Sequence, residues 1–186
     1  QAFVDGILAA VDIAPDANDP LFEFAVETQL NNQTGNIHGF ELQGQHFFGD
    51  TGFGIAASYT MVNGDVGIDV GADPSQDQFA LLGLSDSFNI TAIYENYGIS
   101  ARVAYNWRDK YLGAVNRGAD RNPVFVEAFG TLDANISYDV TEQLVVSLEA
   151  LNILGEPVRT HGRDESNLWF AQELSPRILL GARFRF

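Results

Sequence analysis

Cysteine is absent from the 186 residues, which excludes disulfide frameworks, thiolate zinc sites and cysteine nucleophiles. Positive charge is scarce: 10 Lys and Arg stand against 25 Asp and Glu, a net charge of −15. The first base is Arg102, so residues 1–101 carry 14 acids and no Lys or Arg. Nucleic-acid phosphates need clustered cations, so no nucleic-acid partner is expected. No apolar run approaches the roughly 18 residues of a membrane-crossing helix, which rules that element out. The opening Gln1-Ala2-Phe3-Val4-Asp5 has no basic n-region and no long apolar h-region, so it reads as no signal peptide.

What remains is a chain with 46% hydrophobic residues, too many for a disordered acidic polymer. Its 18 Gly, 14 Phe and 6 Tyr favour a turn-rich β protein over a helical one. Period-two alternation is the dominant pattern and it recurs seven times. Phe40, Leu42, Gly44, His46 and Phe48 share one face of the first segment, while Glu41, Gln43 and Gln45 share the other. The same alternation runs through segments beginning at Phe53, Phe88, Ile99, Leu132, Leu144 and Ile178. Phe3–Ile13 and Leu21–Leu30 are further, less regular candidates for strands.

Connections alternate in length. Short turns fall at 49–52, 96–98 and 139–142; long polar loops span about 62–86, 109–128 and 152–175. Short turns at one end and long loops at the other, with strands near ten residues, describe the up-and-down meander of a transmembrane β-barrel. Alternation by itself leaves a soluble barrel or sandwich open, because such a fold hides its apolar face inside. Aromatics placed near the strand ends favour the membrane form: Phe47, Phe48, Phe53, Tyr94, Tyr138 and Phe184 at the short turns, Tyr59, Tyr105, Trp107 and Tyr111 opposite. The expected fold class is therefore all-β, built of antiparallel up-and-down transmembrane strands.

Several words in the sequence resemble the C-terminal barrel strands of TonB-dependent outer-membrane receptors. They are Gly35–Leu42, Gly98–Leu112, Thr131–Tyr138, Leu148–Leu154 and the ending Gly181-Ala182-Arg183-Phe184-Arg185-Phe186. The resemblance implies a barrel of about 22 strands closed by an N-terminal plug. Residues 1–186 would then be the C-terminal section of that barrel, with about eight strands and without the plug and earlier strands. It further implies TonB-coupled uptake of a scarce nutrient, either a glycan or an iron–siderophore chelate, across the bacterial outer membrane. The implied partners are outer-membrane lipid, the barrel-assembly machinery, the TonB complex through the plug, and a small nutrient ligand. No enzyme activity and no cofactor are implied. A self-contained small outer-membrane barrel with an adhesive or structural role is the alternative.

In the last strand Gly181, Phe184 and Phe186 stand where the resemblance places an assembly signal, with Leu179 departing from the usual polar residue. Arg102, Asn106, Arg108, Asp133, Asn135 and Glu149 fall on the polar face, where they line a lumen or simply form a hydrated wall. Trp169 and Phe170, in one long loop with Arg159, His161 and Arg163, are the candidate substrate-facing patch: aromatics stack on sugars or flat chelates, and Arg offers paired donors. Asp65, Asp69, Asp73 and Asp77 recur every fourth residue, unlike the alternating ligands of an EF-hand loop, and read as a solvated acidic loop. His38, His46 and His161 have no metal-ligand spacing, so no metal site is expected; His46 reads as turn-proximal and His161 as a loop residue. Ser58, Ser137 and Ser147 lack a nucleophile elbow, so no hydrolase triad is supported.

Overall fold

The computed structural model describes residues 9–10, 33–118 and 121–186. Leu21–Leu30 lies outside the described residues. Of Phe3–Ile13 only Ala9 and Ala10 are described, and they are helical rather than extended. Residues 34–186 form one unit.

Its frame is a seven-stranded antiparallel sheet. The strands are β1 (Ile37–Phe47), β2 (Phe53–Gly64), β3 (Ser87–Asn96), β4 (Ile99–Arg108), β7 (Phe129–Asp139), β8 (Leu144–Leu151) and β11 (Arg177–Phe184), paired in that order. These are the seven alternating segments of the sequence, one strand each. Among the described residues β1 and β11 are the two edges, so the wall does not close on itself.

The short turns set the register. Between β3 and β4 only Tyr97 and Gly98 lie outside the ladder, with φ of 53° and 73°. Two successive left-handed residues make the tight turn whose twist matches that of paired strands, and Asn96 Oδ1 accepts from Tyr97 N at 2.9 Å. Between β1 and β2 a single 3-10 turn, Gly49–Thr51, is closed by Thr51 Oγ1 donating to Phe48 O at 2.6 Å.

Register converts the alternation of each strand into continuous rows across the wall. One row reads His46, Ile55, Ala92, Val103, Ala134, Ala150, Ile178. The next reads Phe53, Tyr94, Ala101, Ile136, Leu148, Leu180. On the other face Ser58, Asn89, Asn106 and Thr131 stand in line, as do Arg102, Asn135 and Glu149.

Among the described residues nothing covers the apolar rows. Leu42, Phe53, Ile178 and Leu180 are exposed by 63%, 57%, 70% and 85%, and the buried hydrophobics among the described residues are Ala80, Ile93 and Leu112. A soluble barrel or sandwich would turn these rows inward, because contiguous apolar surface in water is unfavourable. One aromatic departs from the girdle expected at the short turns. Phe47 sits on the polar face, its ring within 2.7 Å of where a Cβ on Gly54 would lie.

Two of the long loops are strands. β5 (Tyr111–Arg117) and β6 (Asn122–Val126) extend the β4–β7 pair, and β9 (Val158–His161) and β10 (Leu168–Gln172) extend the β8–β11 pair. β6 also pairs with β9, giving a second, four-stranded sheet in the order β10-β9-β6-β5. Alternation failed to reveal these strands because their ladders are interrupted. The register shifts between Leu112 and Ala114, between Ala114 and Arg117, and between Leu168 and Phe170. Pro123, fully buried in β6, has no N–H to give to a ladder. The third long loop, 65–86, contains no strand.

Candidate functional site

The second sheet and the 65–86 loop together form the long-loop end of the unit, and arginines hold the two together. Arg163 Nη1 donates to Val70 O at 2.8 Å and Ala72 O at 2.9 Å, while its Nε reaches Asn122 Oδ1 at 3.1 Å. Arg121 Nη1 reaches Asp77 Oδ1 at 2.7 Å. Arg108 Nη2 donates to Gly83 O at 2.6 Å and its Nε to Ser85 Oγ at 3.0 Å, with its guanidinium 3.9 Å over the Tyr111 ring. A planar donor fork suits this use, since one side chain ties several carbonyls. Arg108 and Arg163, both candidate ligand contacts, thus spend their donors on the loop.

The acidic loop is tied down in the same way. Asn36 Nδ2 donates to Asp65 Oδ2 at 2.6 Å, and Asn36 N to Asp65 Oδ1 at 2.7 Å. Those bonds, the side-chain one foremost, hold the Asp65 carboxyl below its usual 3.8. Asp69 Oδ1 accepts from Gly71 N and Asp73 Oδ1 from Ser75 N, both at 2.8 Å, as local side-chain turns do. The four Asp act on separate partners and do not converge.

The polar face of the wall is a hydrogen-bonded surface. Arg102 pairs with Glu95 at 3.0 Å where both are well exposed, a contact of little energetic weight. Asn106 bonds Asn89 on one side and Asp133 at 3.5 Å on the other. Asp133 Oδ1 accepts from Asn152 N at 2.8 Å, where the chain leaves β8 with a positive φ of 49°. Glu149 is half-buried and lies between Asn135 and Leu179. Ser137 faces Ser147 across β7 and β8, and Ser58 faces Asn89, each apart from any histidine in the register.

The aromatic patch does assemble, with different company. Successive residues of a strand point to opposite faces, yet Trp169 and Phe170 line one cleft of about 370 Å³ with Arg117, Val124 and Thr160. The register shift between Leu168 and Phe170 re-aims Trp169. Trp169 is 44% and Phe170 54% exposed. Gly162 gives the indole its seat: a Cβ there would stand 2.5 Å from Trp169 Cζ2. Arg117 is the basic residue of the cleft, whereas Arg159 is an exposed residue of β9 opposite Ala171. Arg117 escaped sequence reasoning because its distance from Trp169 along the chain gives no signal; only pairing of β5, β6, β9 and β10 unites them.

At the short-turn end, Gly181 faces Ser147, whose Oγ lies 2.5 Å from where a Cβ on Gly181 would be. Phe184 faces Leu144, and its ring meets Phe186 edge-on at 5.3 Å. His46 lies on the apolar face beside the first short turn, edge-on to Phe48 at 5.0 Å. His161 is not an irregular-loop residue: it ends β9 and is buried, stacked on Phe125 at 5.0 Å.

Among known proteins, the family model described as TonB dependent receptor-like, beta-barrel matches residues 4–153. The match spans β1 to β8 and stops short of the Gly181–Phe186 ending. Neither the curated proteins nor the solved structures contain a match. An antiparallel wall with an uncovered apolar face, a polar face, short turns at one end and long connections at the other is the architecture expected of such a barrel. The chain belongs to the TonB-dependent receptor β-barrel family.

Proposed function

We propose that the chain is the C-terminal section of an outer-membrane receptor barrel that takes up a scarce nutrient with TonB-coupled energy. The family is one of outer-membrane receptors and transporters rather than enzymes. The observation that carries the reading is the pairing of an uncovered apolar face with loops folded into a second sheet. The first faces lipid; the second gives the receptor a preorganised capture surface, because hairpins tied by Arg163, Arg121 and Arg108 need little ordering on binding.

Within that surface the ligand site is the cleft of Trp169, Phe170 and Arg117. Two exposed aromatics and a guanidinium suit a sugar or a flat anionic chelate, and the two substrate classes share this chemistry. The polar face of the wall lines the lumen, and plug and TonB lie in further parts of the receptor. Gly181, Phe184 and Phe186 act as the signal for the assembly machinery. Among the described residues β1 and β11 are opposite, unpaired edges, which favours a wall section over a self-contained small barrel.

The test is uptake in cells carrying the full-length receptor, with labelled oligosaccharides and ferric siderophores supplied in parallel. One class accumulates in a manner lost on inactivating TonB and on Trp169→Ala, with surface abundance unchanged in the variant. Uptake of neither class, or uptake indifferent to TonB, contradicts the reading.

A further inference from the structure

His161, next in sequence to Thr160 of the cleft, belongs to a set of groups that capture does not use. Glu127 joins β6 to β7, His161 ends β9, and Glu165 lies in the turn between β9 and β10. One ligand atom from each lies within 4.8 Å of the other two. The His161 side chain is only 6% exposed, and its Nδ1 is 2.8 Å from Gly162 O. A carbonyl oxygen only accepts, so Nδ1 carries a hydrogen, and with the ring neutral Nε2 presents its lone pair. That lone pair faces Glu127 Oε1 at 2.8 Å, and among the described residues neither buried atom has a partner other than the one it faces. Two acceptors in contact repel unless a positive centre stands with them.

We propose that this centre is a divalent transition cation of the Zn²⁺ class, held by Glu127, His161 and Glu165. The donor set is one imidazole nitrogen and two carboxylates, which suits Zn²⁺ and not the all-oxygen shells of Ca²⁺ or Mg²⁺. Donation from the second ring nitrogen to a backbone carbonyl is the arrangement that fixes metal-binding histidines, and Phe125 stacks on the ring with planes 13° apart. A proton shared by His161 and Glu127 would also relieve the contact, and titration with Zn²⁺ separates it from a metal ion. Lys110 Nζ holds Glu165 Oε1 at 3.1 Å and leaves the second carboxylate oxygen free to ligate.

Ligands of a tetrahedral Zn²⁺ stand roughly 3.3 Å apart, given bonds of about 2.0–2.2 Å. The His161–Glu127 pair stands at 2.8 Å and opens by about 0.5 Å to reach that spacing. Glu165, 68% exposed in its turn, moves in to complete the set and opens the entry path. A fourth position is left for water. The ion would tie the β6–β7 joint to the β9–β10 hairpin, in which Gly162, the residue after His161, seats the Trp169 ring.

The experiment uses the full-length receptor, purified in detergent, stripped with chelator, and titrated with Zn²⁺ alone by calorimetry. Co²⁺ serves as the spectroscopic probe. One equivalent binds, Co²⁺ gives the intense visible bands of a four-coordinate site, and His161→Ala removes both. Because His161→Ala removes a buried ring and can unfold the hairpin, Glu165→Gln is the decisive variant: its side chain is exposed, and it weakens Zn²⁺ binding at least tenfold. Glu173→Gln, an exposed acid outside the cluster, leaves the affinity unchanged. No saturable Zn²⁺ binding, which is the result expected of a shared proton, overturns the proposal. So does an affinity that Glu165→Gln leaves intact or that Glu173→Gln lowers equally. Ligand uptake is not read in this experiment, so its outcome is separate from that of the transport reading.

Discussion

Tyr105 leans across the β4–β7 pair so that its hydroxyl rests on the bare backbone of Gly130, diagonal to its register partner Leu132. A ring covering a glycine on a neighbouring strand restores packing that the missing side chain gives up. Gly130→Ala puts a methyl group in the space of the hydroxyl and forces the ring aside. The expected loss is about 1 kcal/mol, the low end for overpacking, since a ring tip can swing away. Denaturation of the micelle-embedded receptor checks this. In a Tyr105→Leu background the same substitution should be nearly neutral; equal losses in both backgrounds would show that the two residues do not interact.

Arg163 binds two loop carbonyls and Asn122, whereas Arg159 stands exposed on the same hairpin. Arg163→Ala should therefore free residues 66–77 to protease several-fold faster in intact cells, and Arg159→Ala should leave cleavage unchanged. Matching rates for the two variants would place Arg163 outside the loop's anchorage.

Acid should release the first clamp of that loop late. The Asn36 bonds hold the Asp65 carboxyl below its usual 3.8. A group whose folded value is depressed adds stability that is complete above the unfolded value and is lost as pH falls through the folded one. The Asp65–Asn36 contact thus persists down to pH 3.8 and fails only below it. Carboxyl titration of Asp65 by NMR should show a midpoint under 3.8, and one at or above that value would mean the contact does not form in solution.

Phe184 faces Leu144 on the apolar side and meets Phe186 edge-on. As part of an assembly signal, Phe184→Ala should lower the outer-membrane abundance of the full-length receptor several-fold while leaving ligand affinity normal in assembled molecules. Full abundance would remove the assembly role.

The wall was legible because alternation runs through each of its strands with few exceptions, Phe47 and Ile93 among them: Leu132, Ala134, Ile136 and Tyr138 against Thr131, Asp133, Asn135 and Ser137 cannot shift by one without exchanging faces. The loop strands were hidden because Pro123 and the displaced Trp169 break that rule where it would have been read. Residue types in the candidate site were legible, Trp169 and Phe170 above all, but their company was not. Arg117 reaches the aromatic cleft, and Glu127 meets His161, through the pairing of β6 with β5 and β9, and a pairing between hairpins leaves no mark on local alternation. Arg108 and Arg163 looked free because the carbonyls they hold belong to the backbone, which carries no residue signature.

The central claim is that the uncovered apolar rows face lipid and the opposite rows face water. These 186 residues hold no cysteine, and the unsubstituted receptor serves as the blank for any cysteine elsewhere. Single substitutions Leu132→Cys, Ala134→Cys, Ile136→Cys, Asn135→Cys and Ser137→Cys in the full-length receptor, in intact outer membranes, are treated with a water-soluble maleimide. Labelling should alternate, with Asn135→Cys and Ser137→Cys modified rapidly and the other three protected until detergent strips the lipid. Uniform labelling, or protection of Asn135→Cys with rapid reaction of Ala134→Cys, would contradict the account.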